Sequence, residues 1–298
     1  MKAALLPDRG VIKVACDDAR TFLHGLFSAD ILRLTPGAAR FSALLSPQGK
    51  IFADFLVVEA PASDGGGFFL DTPRSLAKPL VAKLNMYKLR SRVIIEDLSD
   101  TLGVLSAWDG ARAGNAESTF GVTYADPRLP ALGLRVMLPP HRVADAAAAL
   151  GATPVEAAAY DAHRIALGIP SGGVDFSYGD AFPHETDMDQ LGGVDFAKGC
   201  YVGQEVVSRM EHRGIARTRA VPVRYDDAPP HAGAVVMAGE RQVGTMGSAA
   251  GGHGLALLRL DRVAEALAHG EPLLAGGIAI RPSKPDWARF AFSDGSKA

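Results

Sequence analysis

Cysteine is nearly absent from this chain: its 298 residues hold only Cys16 and Cys200. An iron–sulfur cluster is ordinarily held by four thiolates, so a self-contained cluster is excluded. A disulfide between the two is not expected in a reducing compartment. A dominant charge is also lacking. The formal net charge is −2, which excludes the broad basic field of a general nucleic-acid binder and leaves room only for a local anion site. Long apolar runs are missing too. Nothing approaches the roughly 18 residues of a membrane helix, and Ala144 to Leu150, the longest bland run, is interrupted by Asp145. Met1 to Arg9 carries no apolar stretch of signal-peptide length, so a cytoplasmic protein is expected.

What is present is ordinary for a folded chain: 48% hydrophobic and 21% charged residues. The length suggests about two domains, with three possible. Residues 11–16 alternate as a strand, which makes Cys16 a small buried hydrophobe. Asp17 and Asp18 then start a helix bearing Phe22, Leu23 and Leu26, with an aspartate as cap. Residues 43–58 read as a hairpin around Ser46-Pro47-Gln48-Gly49. Leu76, Leu80, Leu84 and Tyr87 mark a helix after Thr72-Pro73, and Pro79 either kinks it or marks its true start. A helix over 155–167 is closed by Gly168 and Pro170. Residues 171–195 form a long loop rich in Gly, Asp and Pro, of the kind that is functional or disordered. Beyond about 214–220, short strands separated by Gly and Pro turns predict a small β-barrel, and the tail from 293 is expected to fray.

The densest chemistry lies at Lys198-Gly199-Cys200-Tyr201-Val202-Gly203-Gln204-Glu205. Val202, Val206 and Met210 recur at helical spacing, which predicts a helix from about Tyr201 to His212 and puts Cys200 at its N-terminus. The partial positive charge there, with Lys198 nearby, favours a thiolate or an anion. Glu205 and Arg209 can pair along the exposed face, and Gly199 and Gly203 leave backbone open to a ligand. Residue types alone leave the function open, because a Gly-Cys at a helix start is more often structural than reactive.

Lys198 to Glu205 matches the K-G-C-Y-x-G-Q-E signature of the YgfZ family and its mitochondrial iron–sulfur assembly relatives. Seven fixed positions would recur by chance about once in 10⁹ windows. The likeness runs along nearly the whole chain, through Phe22 to Ile31, Leu44 to Ile51, Tyr87 to Val93, Arg164 to Pro170, Phe182 to Glu185, Leu191 to Phe196 and Val243 to Met246. The resemblance implies an α+β fold shared with the folate-dependent T-protein of glycine cleavage. Two antiparallel α+β domains over 1–215 would surround a central channel, with a β-barrel over 216–298. It implies tetrahydrofolate, or a one-carbon derivative, as cofactor. It also implies support of iron–sulfur enzymes, among them enzymes that modify tRNA.

On that reading Cys200 is the working thiol, and Lys198 lowers its pKa or binds an anion. Tyr201, Gln204, Glu205, Glu185, Arg164 and Arg209 become candidates for holding the folate. Iron–sulfur carriers, such as an A-type carrier or glutaredoxin, and client enzymes become the partners, without direct nucleic acid or membrane contact. The alternative is a folate-dependent aminomethyltransferase. Against it, T-proteins carry a glutamate in Arg-x-Glu-x-Gly where this chain has Ala166. His184, Glu185, Asp187 and Asp189 show no ligand spacing with a second histidine, so no metal site is expected and the plain reading is a solvated acidic loop. Arg209, His212 and Arg213 form a basic helix end, either for the dipole or for an anion. Lys88, Arg90 and Arg92 would share one face of an extended segment, and Trp108 and Trp287 look structural.

Overall fold

A computed structural model describes residues 1–110, 120–213 and 216–292. The expected fraying from 293 onward lies outside the described residues. Two compact units form: 1–160 with 191–204, and 161–190 with 205 to the C-terminus.

The first unit holds two five-stranded sheets. In one, strands β2 (Arg9–Ala15), β3 (Ala39–Leu45), β4 (Ile51–Glu59), β5 (Phe68–Pro73) and β6 (Ile94–Asp97) lie in the order β3-β4-β5-β2-β6. Helices α1 (Ala19–Leu26) and α2 (Arg74–Lys88) cover it, burying Leu23, Leu80 and Leu84 against Ile12, Phe55 and Leu70. The 46–49 turn forms as expected, with Gly49 at φ +79°, and α2 continues past Pro79. In the other sheet, β1 (Lys2–Leu6), β7 (Gly103–Trp108), β8 (Val122–Ala125), β9 (Leu134–Leu138) and β10 (Thr153–Pro154) lie in the order β10-β1-β7-β9-β8, with α3 (Val143–Ala149) packed alongside. A buried ionic network ties the two sheets. Arg135 Nη1 donates to Asp71 Oδ2 at 2.6 Å and Arg135 Nε to Asp126 Oδ2 at 3.0 Å, while Arg9 Nε reaches Asp71 Oδ1 at 2.6 Å. At Asp71 the Arg9 and Arg135 guanidinium groups outweigh burial, and at Asp126 those of Arg128 and then Arg135 do, so both carboxyls lie below the usual range.

The second unit contains α4 (Ala157–Ala166) from Asp161 onward, α5 (Gln204–Arg213) from Glu205 onward, and a closed barrel. The barrel strands are β11 (Thr218–Arg224), β12 (Val235–Ala238), β13 (Arg241–Ala250), β14 (His253–Arg259), β15 (Leu273–Ala275) and β16 (Ile278–Pro282), with α6 (Leu260–Ala268) between β14 and β15. These strands all lie within 216–298, while the compact units divide at 160/161, 190/191 and 204/205. Residues 161–190 are bound to the barrel by side-chain bonds: Trp287 Nε1 donates to Leu167 O at 2.9 Å, and Ser248 N and Oγ each donate to Asp175 Oδ1 at 2.7 Å.

Three local expectations are corrected. Cys16 lies one residue past β2, exposed and at φ +83°, and is not a buried strand residue. Asp18 does not cap α1 with its side chain; its Oδ2 accepts the Arg92 N–H at 2.7 Å. Lys88 ends α2 and Arg90 and Arg92 precede β6, so the three do not share a strand face.

Candidate functional site

The segment 191–204 returns to the first unit and is anchored there from several directions. Ser28 Oγ donates to Gly193 O at 2.6 Å, and the Asp195 N–H donates to Ser28 O at 2.9 Å. Asp195 Oδ1 accepts the N–H groups of Ala197 and Lys198 at 2.9 and 3.1 Å, a local turn made by a short carboxylate. Val202 packs on the core under α1.

Lys198 is 7% exposed, and its ammonium donates to the carbonyls of His24 (2.6 Å), Phe27 and Ala29 (3.1 Å). An ammonium has three N–H donors, and each has a carbonyl, so none is left for an anion. Burial pulls its pKa down to about 8, against the pull of Asp30 and Asp195. The expectation that Lys198 activates the thiol or binds an anion is corrected: its hydrogen bonds fasten the loop to the end of α1. Tyr201 is also 7% exposed, with its ring 4.9 Å from that ammonium, and burial raises its pKa.

Between these two buried side chains, Gly199 and Cys200 are exposed. His24 stands behind them. A Cβ built on Gly199 would lie 3.9 Å from His24 Nε2, while His24 Nδ1 is 3.2 Å from Asp30 Oδ1 without hydrogen-bond alignment. Burial, then the Lys198 charge, holds the imidazole pKa below its ordinary value despite Asp30.

The predicted helix start is also corrected. Gly203 takes φ +80°, which no helix accommodates, and α5 begins at Gln204. Cys200 therefore lies four residues ahead of the helix, beyond the turn over which a helix dipole acts. Gly203 is required by a close approach: an added Cβ would lie 2.5 Å from Ser46 O and 3.1 Å from Gly49 Cα. The backbone that needs this glycine is the protein's own β3–β4 turn rather than a ligand.

The other expected site residues are dispersed among separate tasks. Arg164 is buried, with Nη1 on Asp175 Oδ2 at 2.9 Å and Nε on Asp161 Oδ1 at 2.7 Å. Glu185 Oε2 accepts the Phe182 N–H at 2.9 Å, which closes a one-turn 3₁₀ segment at Pro183–Thr186. Glu205 and Arg209 pair at 2.6 Å on the exposed face of α5, as their spacing predicted, and Gln204 is half-buried at its first turn. The side chain of Arg213 lies outside the described residues. A cavity of about 810 Å³ in the first unit, lined by Glu59, Phe69, Leu102 and Met137 among others, includes none of residues 198–205.

The acidic loop is not simply solvated. His184 and Asp187 are buried, and Arg219 binds Asp187 Oδ1 at 2.8 Å and Asp189 through both oxygens at 2.9 and 2.8 Å. Burial outweighs Arg219 at Asp187 and raises its carboxyl to about 8. His184, Asp189 and Glu211 also come together, contrary to the expectation that no ligand set assembles. Sequence reasoning missed Glu211 and Arg219, which lie on other elements.

Comparison with known proteins bears on this fold and site. Residues 217–290 match the model of the CAF17 C-terminal β-barrel domain. The chain is 36% identical over 234 residues to a mitochondrial iron–sulfur cluster assembly factor IBA57 homologue of Mycosarcoma maydis, spanning 75% of this chain but 57% of that protein. It is 33% identical over 293 residues to the mitochondrial IBA57 homologue of Pyricularia oryzae, spanning 91% of this chain and 75% of that one. It is 29% identical over 304 residues to mitochondrial IBA57 of Homo sapiens, spanning 95% and 84%. The crystal structure of the glycine cleavage aminomethyltransferase T from Bartonella henselae superposes with a TM-score of 0.76 at 17% identity, covering 96% of this chain and 86% of that one. That likeness establishes the aminomethyltransferase-like fold with its barrel. The cytoplasmic expectation is overturned, since these relatives are named as mitochondrial. The long match to the Pyricularia protein, above 30% identity over three-quarters of its length, places this chain in the IBA57 family of iron–sulfur cluster assembly factors.

Proposed function

We propose that this chain is an accessory factor in the assembly or repair of iron–sulfur clusters of client enzymes, with Cys200 as its working thiol. One observation carries the reading. Cys200 is exposed on a loop whose neighbours Lys198 and Tyr201 are buried and bonded into the first unit. A thiol on a pinned loop meets a partner without a large ordering cost. Phe196, 40% exposed on the same loop, offers apolar contact close by in sequence. On ligation the thiol gives up its proton and Sγ binds one iron of the cluster, which is cargo rather than a resident cofactor. Two cysteines cannot supply four ligands, so a partner holds the others. An A-type carrier or a glutaredoxin fits that role, followed by the client enzyme. The narrower YgfZ-type reading, with tRNA-modifying enzymes among the clients, rests on the motif from Lys198 to Glu205.

Tetrahydrofolate binding rests on the fold likeness alone. Three of the side chains singled out for it are committed elsewhere. Arg164 is spent on Asp161 and Asp175, Glu185 on a backbone N–H, and Tyr201 on the core. No step here runs through a folate. Ala166, where T-proteins have glutamate, further disfavours the aminomethyltransferase alternative.

The test mixes purified protein with a cluster-loaded A-type carrier and follows the visible circular dichroism of the cluster. The proposal expects a new spectrum with the wild type and none with Cys200→Ser. Equal spectra from both would remove Cys200 from the function.

A further inference from the structure

The second unit holds a set of ligand-bearing side chains that the Cys200 loop does not use. His184 lies within the 3₁₀ turn, Asp189 three residues past its end, and Glu211 on α5. One donor atom from each lies within 4.8 Å of the others, and His184 Nε2 is 3.0 Å from Glu211 Oε2. Arg219 fixes the frame. Its Nη1 donates to His184 O at 2.8 Å, Asp187 Oδ1 at 2.8 Å and Asp189 Oδ1 at 2.9 Å, and its Nη2 to Asp189 Oδ2 at 2.8 Å.

The polar groups of this frame are not all satisfied. Asp187 and Asp189 share one guanidinium, and Glu211 meets His184 Nε2. Asp187 is fully buried, and its Oδ2 has no hydrogen-bond partner among the described residues. Because Asp187 Oδ1 shares Arg219 Nη1 with Asp189, that unsatisfied carboxylate belongs to the same cluster. A buried polar atom without a partner is costly, so such atoms ordinarily meet a donor, a water or an ion.

We propose that His184, Asp189 and Glu211 bind a divalent first-row transition-metal ion. One imidazole with two carboxylate oxygens suits Zn²⁺, Mn²⁺ or Fe²⁺ and not a thiolate-seeking ion such as Cu(I). Asp189 keeps its bonds to Arg219, because each carboxylate oxygen has a second lone pair for the ion. Arg219 and Asp187 act behind the ligands, holding Asp189 in place. Three protein ligands leave a position for water or for a donor from a partner.

The test uses full-length protein stripped with a chelator and titrated separately with zinc chloride, by calorimetry, and manganese chloride, by electron paramagnetic resonance. One equivalent of at least one ion should bind to the wild type and equally to a Cys16→Ser/Cys200→Ser double variant. Glu211→Gln alters an exposed side chain and so spares the fold, and it should weaken binding at least tenfold. Zinc X-ray absorption should show imidazole and oxygen neighbours and no sulfur. Failure of both ions to bind overturns the site, as does loss of binding in the double cysteine variant, a sulfur neighbour, or unchanged affinity in Glu211→Gln.

Discussion

Replacing Lys198 with methionine keeps the length of the side chain and removes its three donors. The carbonyls of His24, Phe27 and Ala29 then lose their partner. At about 2 kcal/mol for each buried acceptor left short, the loss is about 6 kcal/mol. Methionine also escapes the desolvation that takes the ammonium from 10.5 to about 8, a relief of about 3 kcal/mol at 1.36 kcal/mol per pH unit. The net cost is about 3 kcal/mol, felt by the loop. Native-state hydrogen exchange at the Asp195, Ala197 and Lys198 amides reads this as roughly a hundredfold loss of protection. The pH dependence follows from the sign. The folded-state pKa of Lys198 lies below the unfolded one, so between about pH 8 and 10.5 the unfolded chain binds more protons. Stability contributed by Lys198 rises with pH in that window. The penalty of Lys198→Met should therefore be flat below pH 8 and grow by about 2 kcal/mol between pH 8 and 9.5. A penalty that shrinks as pH rises would show that the carbonyls favour the ammonium more than burial opposes it. Unchanged protection in Lys198→Met would refute the clamp itself.

Other substitutions probe the frame. Gly203→Ala meets both a left-handed backbone and the Ser46 carbonyl at 2.5 Å, so it should destabilise the loop by at least about 2 kcal/mol. Gly199→Ala meets only His24 at 3.9 Å and should cost under about 0.5 kcal/mol in the same exchange experiment. Arg135→Met leaves Asp126 with Arg128, and Asp71 with Arg9 and the Tyr124 hydroxyl, which should cost about 3–5 kcal/mol in urea unfolding followed by tryptophan fluorescence.

How far the sequence revealed these features depended on the range of each interaction. The hairpin at 46–49 and the Glu205–Arg209 pair are local, and their residue types declare them. Strand β1 went unread because Ala3 and Ala4 are both buried, which erases the alternation of a half-exposed strand. Cys16 continues an alternating pattern but sits one residue beyond the strand, where the backbone turns left-handed. The spacing of Val202, Val206 and Met210 suggested an earlier helix start, and Gly203 overrides it by backbone conformation. Lys198 was legible as important but not in its task, because its three carbonyls lie 169 to 174 residues away in sequence. Arg164 is conspicuous too, but its buried partner Asp175 comes from the following loop, whereas Glu185 and its partner Phe182 are only three residues apart.

In the function proposed for this chain, the exposed thiol at position 200, and not the one at 16, serves cluster assembly. Both cysteines are exposed, so accessibility alone does not separate them. The direct measurement is the activity of iron–sulfur enzymes in cells lacking this chain and supplied with Cys16→Ala or Cys200→Ala. Full activity with Cys16→Ala and near-complete loss with Cys200→Ala is the predicted result, and full activity with Cys200→Ala would contradict the claim.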